Sequence, residues 1–291
     1  MTSQTSKAPT IIQECTLRLR TFLPSVRPSE RKVAQYILSN PESVVELPIT
    51  ELARLSGVSD ATVVKLCQRV GYSGFQELKI NLARELSMPY KRVYGKVKPG
   101  DTMEEIKEKA FSHNERALHD TARILNSVEL ESAVSALSAA PRIHFYGSGA
   151  SGIVALDAEQ KFLRIGMNCQ AFNDPHLGAT AAALLDKGAV AVGISHSGAT
   201  RDTVDSLTIA HRAGATTVCI TNAMGSPIAQ AADTVLLTAV AESDFRGGAM
   251  ASRIAQLSVI DILFIGVALG RHDHTMQCLA KTLEAVAHKR Y

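Results

Sequence analysis

The sequence has little that predicts a membrane-spanning segment or a secretory signal. Its longest apolar stretch, Ile254 to Leu269, is interrupted by Gln256, Ser258 and Asp261 and falls short of the roughly 20 residues that span a bilayer. We therefore expect a buried helix there and no contact with a membrane. The first ten residues are polar and contain no apolar run of the kind found in signal peptides, which favours a cytoplasmic protein.

Cysteine is scarce and follows no motif. The five cysteines are odd in number and far apart, which excludes both a disulfide framework and a clustered zinc site. We expect reduced, mostly buried thiols, and neither a metal nor a cofactor. The cysteines are Cys15, Cys67, Cys169, Cys219 and Cys278.

The composition is that of a globular protein with an uneven charge. Of 291 residues, 46% are hydrophobic and 20% charged, which excludes a disordered or low-complexity chain. This length exceeds what one core usually holds, so two domains are expected. Residues 1–98 carry 15 Lys and Arg against 8 Asp and Glu, whereas residues 99–291 carry 16 against 20. The basic first third indicates an anionic partner.

A change of pattern near residue 93 divides the chain. The segment Val93 to Thr102 contains Pro and Gly without hydrophobic periodicity, so it is predicted to be a linker. Only helical patterns precede it. After it, the apolar runs RIHFY, AVAVGIS, TTVCIT and TVLLTA alternate with helical stretches, as in a parallel sheet. We predict an all-α domain over 1–92, a linker over 93–102 and an α/β domain over 103–291.

The first domain contains the pattern of a helix-turn-helix. A helix is predicted from about Ile11 to Phe22, and another begins at Ser29, which can cap it. Two further short helices follow: one has an apolar face of Ile49, Leu52, Ala53 and Leu55, and the second is predicted from Asp60 to Val70. Gly57 permits the sharp left-handed turn between them, and Ser59 can cap the second. In a helix-turn-helix, that second helix lies in the major groove of DNA.

Four outward-facing residues of this second helix are candidates for DNA contact. Lys65 and Arg69 can neutralise phosphate or reach guanine, while Thr62 and Gln68 can hydrogen-bond base edges. The alternative is an ordinary helical hairpin with a solvated polar face. The turn residues and the basic charge favour DNA.

The second domain has two loops rich in serine and glycine, each between a predicted strand and a helix. The first, GSGASG, matches the dinucleotide pattern G-x-G-x-x-G at Gly147, Gly149 and Gly152, and Asp174 follows near the position of a ribose-binding acid. The second loop is SHSGAT, residues 195–200. Both loops would bring hydroxyls and helix N-termini to the carboxyl edge of the sheet.

The hydroxyls of the second loop favour a phosphate monoester over a dinucleotide. Binding of a bridging pyrophosphate does not require Ser195, Ser197 and Thr200, whereas a terminal phosphate is well held by hydroxyls and helix N–H groups. The alternative is that these residues only cap helices and shape tight turns.

The order of these motifs, SERKVAQYIL, VSDATVVKLCQRVGYSGFQELK, GSGAS and SHSGAT, resembles the RpiR family of bacterial transcriptional regulators over about residues 11–285. The resemblance implies a helix-turn-helix domain followed by a sugar isomerase (SIS) domain, a flavodoxin-like three-layer α/β sandwich that binds a phosphosugar effector. It implies a homodimer or homotetramer, usually a repressor of sugar-catabolic genes, that binds a double-stranded DNA operator. The resemblance assigns the phosphosugar to Ser148, Ser151, Ser195, Ser197 and Thr200.

The resemblance does not identify the sugar. The stretch from Arg246 to Phe264 is similar to members that respond to N-acetylmuramic acid 6-phosphate. The stretch from Asn173 to His176 is similar to members that respond to a keto-deoxy-gluconate phosphate. These two similarities point to different effectors.

An enzymatic role would need a positioned base. His176, His196, Glu242 and Asp244 are candidates, but none has the spacing of a base with an orienting partner. We interpret His196 as a loop residue beside the phosphate and Glu242 as a partner for a sugar hydroxyl, and expect no catalytic residue. The alternatives are a phosphosugar isomerase with an accessory helical domain and, less favoured, a nicotinamide-dependent enzyme.

Overall fold

The computed structural model describes residues 15–87, 97–240 and 249–289. It divides into two compact units, Met1–Arg92 and Val93–Tyr291. The predicted start of the first helix at Ile11, the first residues of the predicted linker, and Glu242 with Asp244 lie outside the described residues.

The described part of the first unit is helical. Apolar side chains from all six helices, among them Leu19, Ile37, Leu52, Leu66 and Leu78, form one core. The helices are α1 Cys15–Phe22, α2 Pro28–Ser39, α3 Pro41–Glu46, α4 Ile49–Ser56, α5 Asp60–Arg69 and α6 Phe75–Ser87.

The two predicted helix caps in this unit need correction. Helix α2 begins at Pro28 rather than Ser29, because proline suits the first helical position, and the Glu30 carboxylate accepts the backbone N–H of Arg27 at 3.2 Å. Ser59 does occupy the N-cap of α5, but its hydroxyl makes no bond to a helix N–H and lies 3.1 Å from the Thr62 hydroxyl. Gly57 has φ 64°, as the predicted left-handed turn requires.

The second unit is an α/β sandwich. Its strands are β1 Ile143–Gly147, β2 Cys169–Phe172, β3 Val190–Ile194, β4 Thr216–Thr221 and β5 Thr234–Leu237. Its helices are α7 Met103–Ile124, α8 Ser127–Ala139, α9 Ala150–Arg164, α10 Pro175–Ala183, α11 Arg201–Arg212, α12 Pro227–Gln230, α13 Met250–Gly270 and α14 His272–Ala287.

All five strands are parallel, in the order β2-β1-β3-β4-β5. This is the flavodoxin-like order, and the predicted fold class is confirmed. Successive residues of β1 point to opposite faces: Phe145 joins a core with Phe162 of α9 and Leu263 of α13, whereas Tyr146 joins a core with Leu207 of α11. Helices therefore cover both faces of the sheet.

Helix α13 contains the apolar run noted in the sequence. It is long and apolar enough to cross a membrane by length and composition, with a mean hydropathy of 1.7. One side of the helix, including Val259, Ile260 and Leu263, packs into the core of the sheet. The opposite side, including Ile265 and Leu269, is exposed, so the prediction of a buried helix holds for one face only.

Candidate functional site

The two serine loops lie side by side at the carboxyl edge of the sheet. Strands β1 and β3 are neighbours, and their register pairs Gly147 with Ile194. Ser148 and Ser195 therefore start their loops on adjacent strands, which are about 5 Å apart in such a sheet. The strand order reverses between β1 and β3, because the chain turns outward to β2 after β1 and returns to β3. Ligands of open α/β sheets bind at such a point.

Hydrogen bonds fix the shape of the loop that follows β3, residues 195–200, which we call the β3 loop. The Ser195 side chain is buried; its Oγ donates to Thr200 Oγ1 at 3.1 Å and accepts the Gly198 N–H at 3.1 Å. The Ser197 side chain is exposed, and its Oγ accepts the Ala199 N–H at 3.3 Å. Ser195 therefore holds the loop together, whereas the Ser197 hydroxyl keeps its proton for another acceptor.

Gly198 is packed so tightly that no side chain fits. Its φ is 65°, and a Cβ there would lie 2.0 Å from Ser226 Oγ and 2.8 Å from Thr221 Oγ1. The Gly198 carbonyl accepts the Ile228 N–H at 3.0 Å, so the loop also rests on the start of α12. Ser226 and Thr221 carry further hydroxyls behind the loop that the sequence analysis did not single out.

The helices that follow the two loops begin without a side-chain cap. Gly149, which has no side chain to cap with, is the N-cap of α9. Thr200 is the N-cap of α11, and its hydroxyl does not accept a helix N–H. Uncapped N–H groups and the helix dipole favour an anion at these positions. One acidic side chain, Asp202, lies in the first turn of α11, and the exposed Arg201 beside it in sequence pairs with Asp205 at 3.6 Å.

The β1 loop is connected to helix α13. Ser151, the second residue of α9, donates from its Oγ to Oε1 of Gln256 at 3.3 Å. Gln256 is 1% exposed, and its Nε2 has no hydrogen-bond partner among the described residues. In the sequence, Gln256 is only a polar interruption of an apolar run.

A small open cavity lies beside the β1 loop, on the side of the sheet that carries α10 and α11. Thr203 lines it with a buried hydroxyl that has no partner among the described residues. The cavity carries two carboxylates and several hydroxyls over an aromatic wall. Its lining includes Tyr146, Ser148, Phe172, Asp174, Asp202, Thr203 and Ser206.

The other sequence candidates have mixed positions. His196 is half-buried in the β3 loop, and its backbone carbonyl accepts the Asn222 N–H at 3.0 Å. His176 is exposed in the first turn of α10. Asp174 caps α10 by accepting the Leu177 N–H at 2.8 Å, so its carboxylate already has a structural task and does not support the dinucleotide alternative.

A buried histidine lies under the cavity. His144 Nδ1 is 2.9 Å from the Tyr146 hydroxyl, and its ring makes an edge contact with Phe172. Burial, with a smaller effect of Arg142, lowers the pKa of His144 to about 4, so the ring is neutral at pH 7. Burial likewise raises the pKa of Tyr146. The pair is a neutral hydrogen bond below the site.

In the first unit, α5 presents the predicted DNA-contact residues in different states. Lys65 and Gln68 are exposed, and Thr62 is half-buried beside Ser59. Arg69 is 39% exposed, and its Nε lies 3.1 Å from the buried carboxylate of Glu30. Arg69 therefore has a structural partner within the unit that the sequence pattern did not reveal.

Four of the five thiols have no reactive surroundings, whereas Cys278 is half-buried with its Sγ 3.4 Å from His274 Nε2. Burial raises the pKa of four of them to about 12. They are Cys15, Cys67, Cys169 and Cys219. Across residues 15–87, 97–240 and 249–289, no three His, Cys, Asp or Glu side chains gather as a metal site would require.

Comparisons with known proteins define the class. The helix-turn-helix domain of the rpiR family matches residues 15–89, and the SIS domain matches residues 136–266. An HTH-type transcriptional regulator of Caldanaerobacter subterraneus subsp. tengcongensis is 44% identical over 92% of this chain and 95% of its own length. The regulator YbbH of Bacillus subtilis is 40% identical over 89% of this chain and 92% of its own.

A solved structure supports the same class. The Vibrio vulnificus NanR protein complexed with ManNAc-6P is 29% identical, covers 95% of this chain and 99% of its own, and has a TM-score of 0.62. The protein is thus a transcriptional regulator, not an enzyme, with a helix-turn-helix domain followed by a SIS domain. It belongs to the RpiR family.

Proposed function

We propose that this regulator binds a phosphosugar through the two serine loops and that binding changes its affinity for a palindromic DNA operator in the cytoplasm. One observation carries the effector site: two hydroxyl-bearing loops and two uncapped helix N-termini meet where the strand order reverses. The ManNAc-6P bound by the Vibrio neighbour makes a sugar phosphate the natural class of effector.

The phosphate contacts divide by role. Ser197 has an exposed hydroxyl with a free proton, and we assign to it a direct bond to phosphate, together with Ser148, Ser151 and Thr200. Ser195 supports the loop from within, through its bonds to Thr200 and Gly198. The hydroxyls lose little desolvation energy when a phosphate oxygen replaces water. His196 remains our candidate for a sugar contact, as does Glu242, which lies outside the described residues.

A thermal-shift screen of sugar phosphates, ManNAc-6P among them, tests the effector site. Thr200→Val removes a hydroxyl at the β3 loop. The ligand concentration needed for a given shift in melting temperature should rise about tenfold or more, because a hydrogen bond to a charged group is lost. Thr208→Val is the matched control: it is the same change on α11, and the Thr208 hydroxyl donates to the Val204 carbonyl at 2.8 Å, within its own helix. Equal responses from both variants would contradict the assignment.

We assign DNA contact to α5, with Thr62, Lys65, Gln68 and Arg69 on its outer surface. Lys65→Ala should weaken binding to a selected operator and lower the slope of log affinity against log salt by about one, since one phosphate contact is lost. Lys32, exposed on α2, provides the control Lys32→Ala. A salt slope that Lys65→Ala leaves unchanged would contradict a phosphate contact.

We propose that two copies, or four as a dimer of dimers, pair through the outer face of the second unit. Helices α9 and α13 pack against each other and leave large apolar side chains exposed, among them Leu163 at 59% and Leu269 at 67%. Exposed apolar patches of this kind mark interfaces. Light scattering should give a homo-oligomer that Leu163→Lys dissociates.

We propose that the regulator represses sugar-catabolic genes. A reporter assay in a strain that lacks the regulator tests this, since expression of the repressed genes should rise.

A further inference from the structure

Gln256 is a buried amide for which the fold alone gives no reason. It lies on the face of α13 that packs into the sheet core, and only 1% of it is exposed. Its Oε1 accepts the Ser151 hydroxyl at 3.3 Å, and its Nε2 has no partner among the residues described. A buried, unpaired amide N–H is costly, and such groups persist where a function needs them.

The hydrogen bond between Ser151 and Gln256 conflicts with phosphate binding. A serine hydroxyl has one proton to donate. In this structure that proton goes to Gln256, so it is not available to a phosphate oxygen. The Ser151 oxygen also has lone pairs that can accept a hydrogen bond. Nε2 of Gln256 belongs to the same amide group as Oε1, so turning that group over would bring Nε2 to the Ser151 oxygen.

We propose that Gln256 is a positioning residue whose side-chain amide turns over when phosphate binds. In the liganded state, Nε2 of Gln256 donates to Ser151 Oγ, and Ser151 donates its proton to the phosphate. No proton changes owner: Nε2 gains the Ser151 oxygen as a partner, Oε1 gives up the Ser151 proton, and the bond gained in the step is the one from Ser151 to the phosphate. This inference rests on the phosphate site proposed above.

The rearrangement is confined to side chains. Further along, Lys161 of α9 binds both Asp157 and Asp261, which ties α9 to α13. The two helices therefore keep their contact while the amide turns. Phosphate binding at the β1 loop thus changes a hydrogen bond of Gln256 on α13, a helix that lies far from that loop in the sequence.

Two variants separate this role from simple packing. Gln256→Met keeps the volume and removes the amide, and it should weaken phosphate binding about tenfold because Ser151 loses its orienting donor. Gln256→Glu should weaken it more at pH 8, since a carboxylate accepts the Ser151 proton permanently and repels phosphate. Ser258→Ala is the control on the same helix, because the Ser258 hydroxyl donates to the Ile254 carbonyl within α13.

The pH profile is the readout that a structural role would not change. Between pH 7 and 8 a phosphate monoester such as ManNAc-6P stays mostly a dianion, so the dissociation constant of the wild type for this ligand should be nearly constant. Inorganic phosphate still ionises in this range, so it is compared between variants at pH 8 only. For Gln256→Glu it should rise by up to tenfold per pH unit, because a protonated carboxyl donates and an ionised one does not. Isothermal titration with inorganic phosphate and with ManNAc-6P measures both.

A spectroscopic measurement on the wild type avoids variants that fail to fold. With glutamine labelled by ¹⁵N, the Gln256 side-chain amide is assigned by its loss in Gln256→Met, and its resonances should shift on phosphate titration. Wild-type binding with an unmoved Gln256 amide, or with variants within twofold of wild type and the same pH profile, would overturn this inference alone. Absence of wild-type binding to either probe would overturn the phosphate site as well.

Discussion

Replacing Gly198 by alanine is the sharpest test of the β3 loop. Gly198 has φ 65°, and an added Cβ would meet Ser226 Oγ at 2.0 Å. Gly188 in the same unit provides the matched change: its φ is 99°, but the nearest atom to an added Cβ is Pro141 Cδ, at an ordinary 3.9 Å. Both substitutions place a side chain in the left-handed region, and only one also creates a collision.

The expected difference follows from these distances. Backbone strain costs each variant about 1–2 kcal/mol. The collision at Gly198 adds about 1–3 kcal/mol, as overpacking of a close-packed site does. For a unit of this size, that extra cost corresponds to a melting temperature about 2–12 °C below that of Gly188→Ala.

Differential scanning calorimetry of the two variants, followed by the sugar phosphate thermal-shift screen, measures both consequences. Gly198→Ala should also lose the effector response, because the loop must move away from Ser226. Gly188→Ala should keep it. Equal melting temperatures for the two variants, or a full effector response from Gly198→Ala, would refute the packing argument for this loop.

Two further predictions concern buried charge. Arg69→Ala should destabilise the helical unit by about 1–3 kcal/mol, since the buried Glu30 carboxylate loses its cation. The control Lys65→Ala should change the stability by less than about 0.5 kcal/mol. Hydrogen exchange of α2 and α5 measures both changes, and equal protection in the two variants would contradict the ion pair. The pKa of His144 is lowered to about 4, so its neutral form contributes stability above pH 6.5 that is lost as the pH falls through 4; an NMR titration with a midpoint near 6.5 would contradict its burial beside Tyr146.

The sheet was predictable where its strands are buried. Four apolar runs predicted β1, β3, β4 and β5: the first three are central parallel strands, apolar on both faces, and β5 lies at the other edge of the sheet but is still mostly buried. The sequence analysis missed β2, Cys169–Phe172, a four-residue edge strand that is mostly half-buried and contains a glutamine. Among the strands that the structure describes, it pairs with β1 alone, and its half-buried residues leave less hydrophobic signal than those of the other edge strand, β5.

Local residues predicted the loops but not what supports them. The serines of GSGAS and SHSGAT follow strands directly, so their position at the sheet edge follows from topology. Gln256 meets Ser151 across 105 residues of sequence, and no spacing pattern could reveal that contact. The pairing of Arg69 with Glu30 was hidden for the same reason, because both look like ordinary exposed charges in a helical pattern.

A crystal structure with a sugar phosphate that shifts the melting temperature tests the central claim most directly. We predict that the phosphate group lies at the carboxyl ends of β1 and β3, with its oxygens about 3 Å from the hydroxyls of Ser197 and Thr200. Phosphate density at any other place, with both loops as they are in the free protein, would contradict it.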